Sequence, residues 1–154
     1  MKGNKKVIDA LNDALSEELT AVNQYFLHSE MCENWGFAKV GAVIKKTAVD
    51  EMKHAEALIE RILFLEGAPN VTKYLPLLIG KNVPEIIQNN LKLELGAIKS
   101  YNKNIRVARD AGDDGSAELF KKHLLDEEGH EDWLETQLDI IETVGLQNYL
   151  ANNA

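Results

Sequence analysis

The sequence predicts an all-α chain folded as a four-helix bundle with one long crossover, and three observations point there. Only ten Gly and three Pro interrupt 154 residues. Long stretches rich in Ala, Leu, Glu and Lys carry apolar residues at alternating spacings of three and four, the period of one helix face. Two of the links between these stretches are short, whereas Gly67 to Val83 is long enough to run the length of a bundle. With 45% hydrophobic and 27% charged residues, the chain is the size of one domain with a substantial core. We read a single domain over 1–154, with the bundle at about 4–144 and a short C-terminal helix at about 146–151.

The first helix shows Ile8, Leu11, Leu15, Glu18, Val22, Tyr25 and Ser29 on one stripe and breaks near Asn34 to Gly36. In the second, Phe37, Val40, Ile44, Thr47, Glu51, His54, Leu58, Ile62 and Leu65 form the stripe, and Gly67 and Pro69 end it. The third carries Ile87, Leu91, Glu94, Ile98, Tyr101 and Ile105 and stops at Gly112 and Gly115. The fourth runs from about Ser116, taken as its N-cap, through Phe120, Leu124, Glu127, His130, Leu134, Gln137 and Ile141 to Gly145. Leu146 to Leu150 then form a fifth helix or a frayed end. Every one of the four long stripes holds an acid where Leu belongs, and two of them also hold a His.

Composition narrows the chemistry. The only cysteine is Cys32, so neither an intrachain disulfide nor a four-thiolate iron site can form, and the chain suits a reducing compartment. No apolar run is long enough to span a membrane, and Met1-Lys2-Gly3-Asn4 opens no signal-peptide apolar region, so a soluble, cytoplasmic protein is expected. A net charge of −8 repels nucleic acid and anionic membranes and attracts cations. The Lys2, Lys5 and Lys6 cluster is too small to change that and reads as a solvated end.

The out-of-place residues repeat. Glu94 lies 76 positions after Glu18, Glu127 after Glu51 and His130 after His54; the same offset relates Tyr25 to Tyr101 and Asp50 to Asp126. The two helical hairpins therefore read as copies, and a pseudo-two-fold axis brings both sets to mid-bundle. Residues three apart share a helix face, so Glu51 with His54 can hold one ion, Glu127 with His130 a second, and Glu18 and Glu94 complete the sites. Four carboxylates carry a formal charge of −4, which two divalent cations cancel; two ferric ions with one bridging oxide carry the same total, so a redox pair suits this set better than zinc. Unpartnered buried carboxylates cost several kcal/mol each, and no Lys or Arg stands beside them on the stripes. Carboxylate and imidazole ligands fit iron or manganese.

The chain resembles bacterioferritin, of the ferritin-like di-iron superfamily. The likeness is carried by Asn23-Gln24-Tyr25-Phe26-Leu27-His28, Asp50-Glu51-Met52-Lys53-His54-Ala55, Ile59-Glu60-Arg61-Ile62-Leu63-Phe64-Leu65-Glu66-Gly67, Asp126-Glu127-Glu128-Gly129-His130 and Gly145-Leu146-Gln147-Asn148-Tyr149-Leu150. This resemblance implies a ferritin-like bundle and a homo-oligomeric shell of 24 subunits built from dimers. It implies a ferroxidase di-iron centre of Glu18, Glu51, His54, Glu94, Glu127 and His130, with Glu51 and Glu127 bridging, that oxidises Fe(II) with oxygen or peroxide. It also implies haem b between subunits, and a ferredoxin-like reductant for iron release. The Met52 side chain points about 100° away from Glu51, onto the outside of the bundle. With Ala48, Val49, Ala55, Ile59, Leu19, Val22, Asn23 and Phe26 it makes an apolar face in need of a partner. On the residues alone that face fits a plain subunit interface with Met as filler; the resemblance implies Met52 as the axial haem ligand.

Other candidates read as structural. Tyr25 can donate an electron or a hydrogen bond but is more often core, and Trp133 is more often packing. His28 and His123 have no matching acid at ligand spacing in the repeat and read as ordinary polar or core histidines; Cys32 reads as a buried small hydrophobe. The chain departs from some bacterioferritins on the cavity-facing part of the second helix, where it has Ile44, Lys45, Lys46 and Thr47 with only Asp50 and Asp126 nearby. It departs again at Leu58, where some relatives have Tyr. Two rival functions remain: a non-storage di-iron or di-manganese peroxidase- or catalase-like enzyme, and a haem-binding structural subunit of a mixed shell.

Overall fold

A computed structural model describes residues 1–154, and all of its regular structure is helical. The elements are α1 (Lys5–Asn34), α2 (Ala38–Phe64), α3 (Val83–Asp110), α4 (Asp114–Val144) and the short α5 (Leu146–Asn152). Helices α1 and α2 pack as one hairpin and α3 and α4 as the other, with α1 against α3 across the bundle and α5 against α4. No helix is long and apolar enough to cross a membrane.

Short polar side chains start three of the four long helices by accepting a free backbone N–H of the first turn. Asn4 accepts from Lys6 N, Asn82 from Glu85 N and Asp113 from Ser116 N. The last corrects the sequence reading, which gave the cap of α4 to Ser116. Asp113 is the better acceptor and places a negative charge at the positive end of the helix. Ser116 sits inside the first turn instead, donating to Asp113 Oδ2 at 2.7 Å, and Arg61 of α2 clamps both residues at 2.8–2.9 Å. At the far end Gly145 takes φ +84, a left-handed conformation that lets the chain turn between α4 and α5.

The apolar core is divided. Fifteen buried residues around Leu11, Leu15, Leu58, Ile62, Phe120 and Leu124 fill one end, and eleven around Ile44, Ile86, Ile87, Leu134 and Tyr149 fill the other. Cys32 lies wholly buried in the second group. Between the two groups every long helix contributes an acid.

Residues 67–82 form the crossover, a strap across α1 and α3 that has no regular structure of its own. Three residues one turn apart on α1 accept its backbone N–H groups: Thr20 Oγ1 from Leu75 (2.9 Å), Gln24 Oε1 from Leu78 (3.0 Å) and His28 Nε2 from Gly80 (3.0 Å). Gln24 also donates to Asn90 Oδ1, which accepts from His28 Nδ1 at 2.8 Å. At Gly80 a side chain would not fit, since a Cβ there would stand 2.5 Å from the Ile86 nitrogen. His28 is thus a neutral, doubly used fastener.

Gln24→Ala leaves the Leu78 N–H and one acceptor site of Asn90 without a partner. We expect a loss of about 2 kcal/mol of stability, read as a lower urea midpoint for the metal-free protein, with helix content unchanged.

Candidate metal centre

The six ionisable residues of the helix stripes meet midway along the bundle: Glu18 from α1, Glu51 and His54 from α2, Glu94 from α3, and Glu127 and His130 from α4. The four acids are at most 1% exposed. His54 Nδ1 faces Glu127 at 2.9 Å, Glu51 at 3.4 Å and Glu18 at 3.5 Å. His130 Nδ1 faces Glu51 at 3.2 Å, Glu94 at 3.6 Å and Glu127 at 3.9 Å. Both imidazoles therefore share Glu51 and Glu127, while Glu18 and Glu94 each serve one. The result is two overlapping sets, Glu18/Glu51/His54/Glu127 and Glu51/Glu94/Glu127/His130, each able to present ligand atoms within 4.8 Å of one another.

Contacts between the hairpins hold these side chains in place. His54 Nε2 meets Asp126 Oδ2 at 2.9 Å and His130 Nε2 meets Asp50 Oδ2 at 3.4 Å. A carboxylate on Nε2 draws the ring hydrogen there and turns the Nδ1 lone pair towards the centre. Tyr25 donates to Glu94 Oε1 at 2.5 Å and Tyr101 to Glu18 Oε1 at 2.6 Å. All four contacts join residues of opposite hairpins, and they form two pairs related by the 76-residue offset.

What remains at the centre is a set of acceptors facing one another. Glu18 Oε2, Glu51 Oε1, Glu94 Oε2, both oxygens of Glu127, and Nδ1 of His54 and His130 are buried without a hydrogen-bond partner. No Lys or Arg pairs with any of the four acids. Carboxylate oxygens and imidazole nitrogens that converge with no donor beyond the imidazoles' own protons suit cations, and four carboxylates suit two divalent ones.

The two sides of the centre differ. The carboxylates face a cavity of about 410 Å³ between α1, α3 and the crossover residues Leu75, Pro76 and Leu78. Glu17 lies on its wall, held by the Ser100 hydroxyl at 2.6 Å, with Oε2 unpartnered. The imidazoles face a second, open pocket between α2 and α4, among Asp50, Lys53, His123 and Asp126.

The remaining sequence candidates fall as follows. Tyr25 is buried on Glu94, and Trp133 packs against the second apolar group. Met52 is 54% exposed on α2, and Phe26 and Val49 are exposed too; Ala48 and Ala55, expected on that face, are buried instead. Sequence reasoning missed His123. Its ring stacks on His54 with centroids 4.2 Å apart, and its Nδ1 lies 3.1 Å from the Tyr101 hydroxyl. Its position four residues before Glu127, on the same helix face, was the available signal.

A ferritin-like domain model matches residues 8–144. The chain is 46% identical to a bacterioferritin of Brucella melitensis over all 154 residues, covering 96% of that protein. It is 43% identical to a bacterioferritin of Streptomyces coelicolor, covering 98% of this chain and 90% of that protein. Identity to a bacterioferritin of Rhodobacter capsulatus is 42% over the whole chain and 96% of that protein.

In the metal-free protein the acids share too little positive charge to ionise together. Burial pushes Glu94 up to about 8, helped by Glu127, and Glu18 well above its ordinary value, helped by Glu51 and Glu127. Burial also lifts Glu17 to about 7. His54 and His130 are pushed down by burial, but the surrounding carboxylates outweigh that and hold both far above the usual histidine range. His123 is pushed down to about 3 by burial, with the neighbouring His54 and Lys122 adding to it, and stays neutral.

The sign for stability follows. Between pH 6.5 and 8 the folded metal-free protein keeps protons on Glu94, His54 and His130 that the unfolded chain releases, so rising pH favours unfolding. His28 and His123 act in the opposite sense only below about 6.5. The Tm of chelator-treated protein should fall steadily from pH 6.5 to 8, and saturating Fe(II) without oxygen, or Co(II), should flatten the slope.

Proposed function

The chain belongs to the ferritin family and is related to bacterioferritins along its whole length, and from that premise we propose that it is an iron-storage protein that oxidises Fe(II) at the intrasubunit centre. Kinship with bacterioferritins supports iron storage. The observation that carries the ferroxidase reading is the convergence of unpartnered acceptor atoms from Glu18, Glu51, His54, Glu94, Glu127 and His130 on one buried point.

Fe(II) is the substrate, and the acidic protein draws it in. Glu18 with His54 grips one ion and Glu94 with His130 the other, while Glu51 and Glu127, which face both imidazoles, bridge them. Two divalent ions make the filled centre neutral, and protons held on Glu18, Glu94, His54 and His130 leave as the ions enter. Asp126 and Asp50 keep each ring hydrogen on Nε2, so both Nδ1 atoms stay available. The Tyr101 and Tyr25 hydroxyls each hold one terminal carboxylate, which fixes the geometry for two electrons to pass to oxygen or peroxide. The apolar groups above and below exclude water along the bundle axis.

Assembly and haem belong to the same reading. A homo-oligomeric shell of 24 subunits built from dimers gives the oxidised iron a place to accumulate. Met52 fits a haem ligand in chemistry and placement, being a thioether on an exposed apolar face; with its copy on a second subunit it would hold haem b. When bound, that group supplies one-electron transfer, from a ferredoxin-like reductant towards stored iron.

Three measurements test this. Offered roughly fifty Fe(II) per chain in air, far above the capacity of a two-metal site, the protein should co-elute with tens of irons per chain as a very large particle. Retention of about two would favour a non-storage di-iron enzyme. Glu18→Ala should slow the fast oxidation phase by at least about tenfold with the shell intact, and unchanged kinetics would sink the assignment. Met52→Leu should abolish haem uptake while leaving iron oxidation at the wild-type rate.

A further inference from the structure

The six ligand-type residues of the centre pair off between its two halves under the 76-residue offset, and His123 is one place where the halves part. Its repeat partner is Thr47. Thr47 turns its hydroxyl back to the Val43 carbonyl at 3.2 Å and offers the Glu94/His130 half nothing. His123 is 2% exposed and stacks on the His54 ring at 4.2 Å with the planes 24° apart. One ligand atom from each of Glu18, His54 and His123 lies within 4.8 Å of the others. The Tyr101 hydroxyl, its single hydrogen committed to Glu18 at 2.6 Å, is the ring's one hydrogen-bond partner. Its other ring nitrogen has no protein partner, and the ring lines the pocket between α2 and α4 beside His54.

We propose that His123 is a further metal ligand, giving the Glu18/His54 half two imidazoles where the Glu94/His130 half has one. The two metal positions are then unequal. The Glu18/His54 half binds first and favours the later first-row divalent metals, which prefer nitrogen over oxygen donors. Fe(II) enters an ordered site, filling the nitrogen-rich position before the carboxylate-rich one. This rests on the two-metal reading above, and the experiment separates the two.

The probe is Co(II) added without oxygen to the assembled, metal-free protein, followed by calorimetry and visible absorption. Wild type should take up two Co(II) per chain in two steps separated by at least about tenfold in affinity. X-ray absorption should find two imidazoles per cobalt after the first equivalent and an average between one and two after the second. In His123→Gln, whose amide can still meet the Tyr101 hydroxyl, the first step should weaken until the two merge, with one imidazole per cobalt throughout. Two equal steps in wild type, or one imidazole on the first cobalt, would overturn the proposal and leave the two-metal centre standing. Uptake of no cobalt would overturn both. If His123→Gln fails to assemble, the imidazole count in wild type decides alone.

Discussion

Four carboxyl groups buried at the middle of a helical bundle, with no Lys or Arg among them, are the constraint on which the rest of the structure depends. Placing even one such charge in a low-dielectric interior is unfavourable by several kcal/mol, and burial together with the neighbouring carboxylates pushes Glu18 and Glu94 above their ordinary range. The fold contains this cost locally. It separates the acids from each apolar end of the core and surrounds them with groups that accept the strain: two imidazoles held by Asp126 and Asp50, and two phenols hydrogen-bonded to the terminal acids. Without cations the charge is met only by retained protons. The metal-free folded protein is accordingly least stable at the pH where these side chains would carry the fewest protons.

The duplicated sequence gives this arrangement its economy. Each orienting contact crosses from one hairpin to the other, so neither hairpin alone builds half of the centre. Tyr25 belongs to the first hairpin but steadies Glu94 of the second, and Tyr101 returns the favour to Glu18. His54 is aligned by Asp126 and His130 by Asp50 in the same way. Correct docking of α1/α2 on α3/α4 is therefore a precondition for ligand geometry. The strap between the hairpins, fastened through Thr20, Gln24 and His28, constrains that docking from outside.

Much of this was legible in the sequence because helix periodicity turns an error into a signal. A Glu on a stripe of Leu and Ile has no neutral explanation when all four helices carry one, and the common offset of 76 says which belong together. The bundle, its long crossover and the meeting of Glu18, Glu51, His54, Glu94, Glu127 and His130 follow from spacing alone. Roles that depend on contacts across the bundle did not. Asp50 and Asp126 read as leftovers of a cavity surface, since nothing in their spacing shows that each reaches a histidine 80 or 72 residues away. His28 read correctly as structural, yet its fastening of Gly80 needed the path of an irregular segment. The cap of α4 was misplaced by three residues because Ser116 and Asp113 are both good capping types, and only the hydrogen bond from the Ser116 N–H to Asp113 Oδ1 distinguishes them.

The symmetry argument that exposed the centre also marks where the chain departs from it. Glu17 has Leu93 as its repeat partner, and His123 has Thr47. Both departures fall beside the Glu18/His54 half, on opposite sides of it: Glu17 on the wall of the carboxylate-lined cavity, His123 on the pocket where the imidazoles emerge. A duplicated bundle needs neither residue to fold, because in each case the other hairpin does without it at the equivalent position: the second hairpin has Leu93 for Glu17, and the first has Thr47 for His123. Packing alone would favour a Leu at each, as Leu93 illustrates. Burying a carboxyl oxygen and an imidazole there instead sets one half chemically apart from the other.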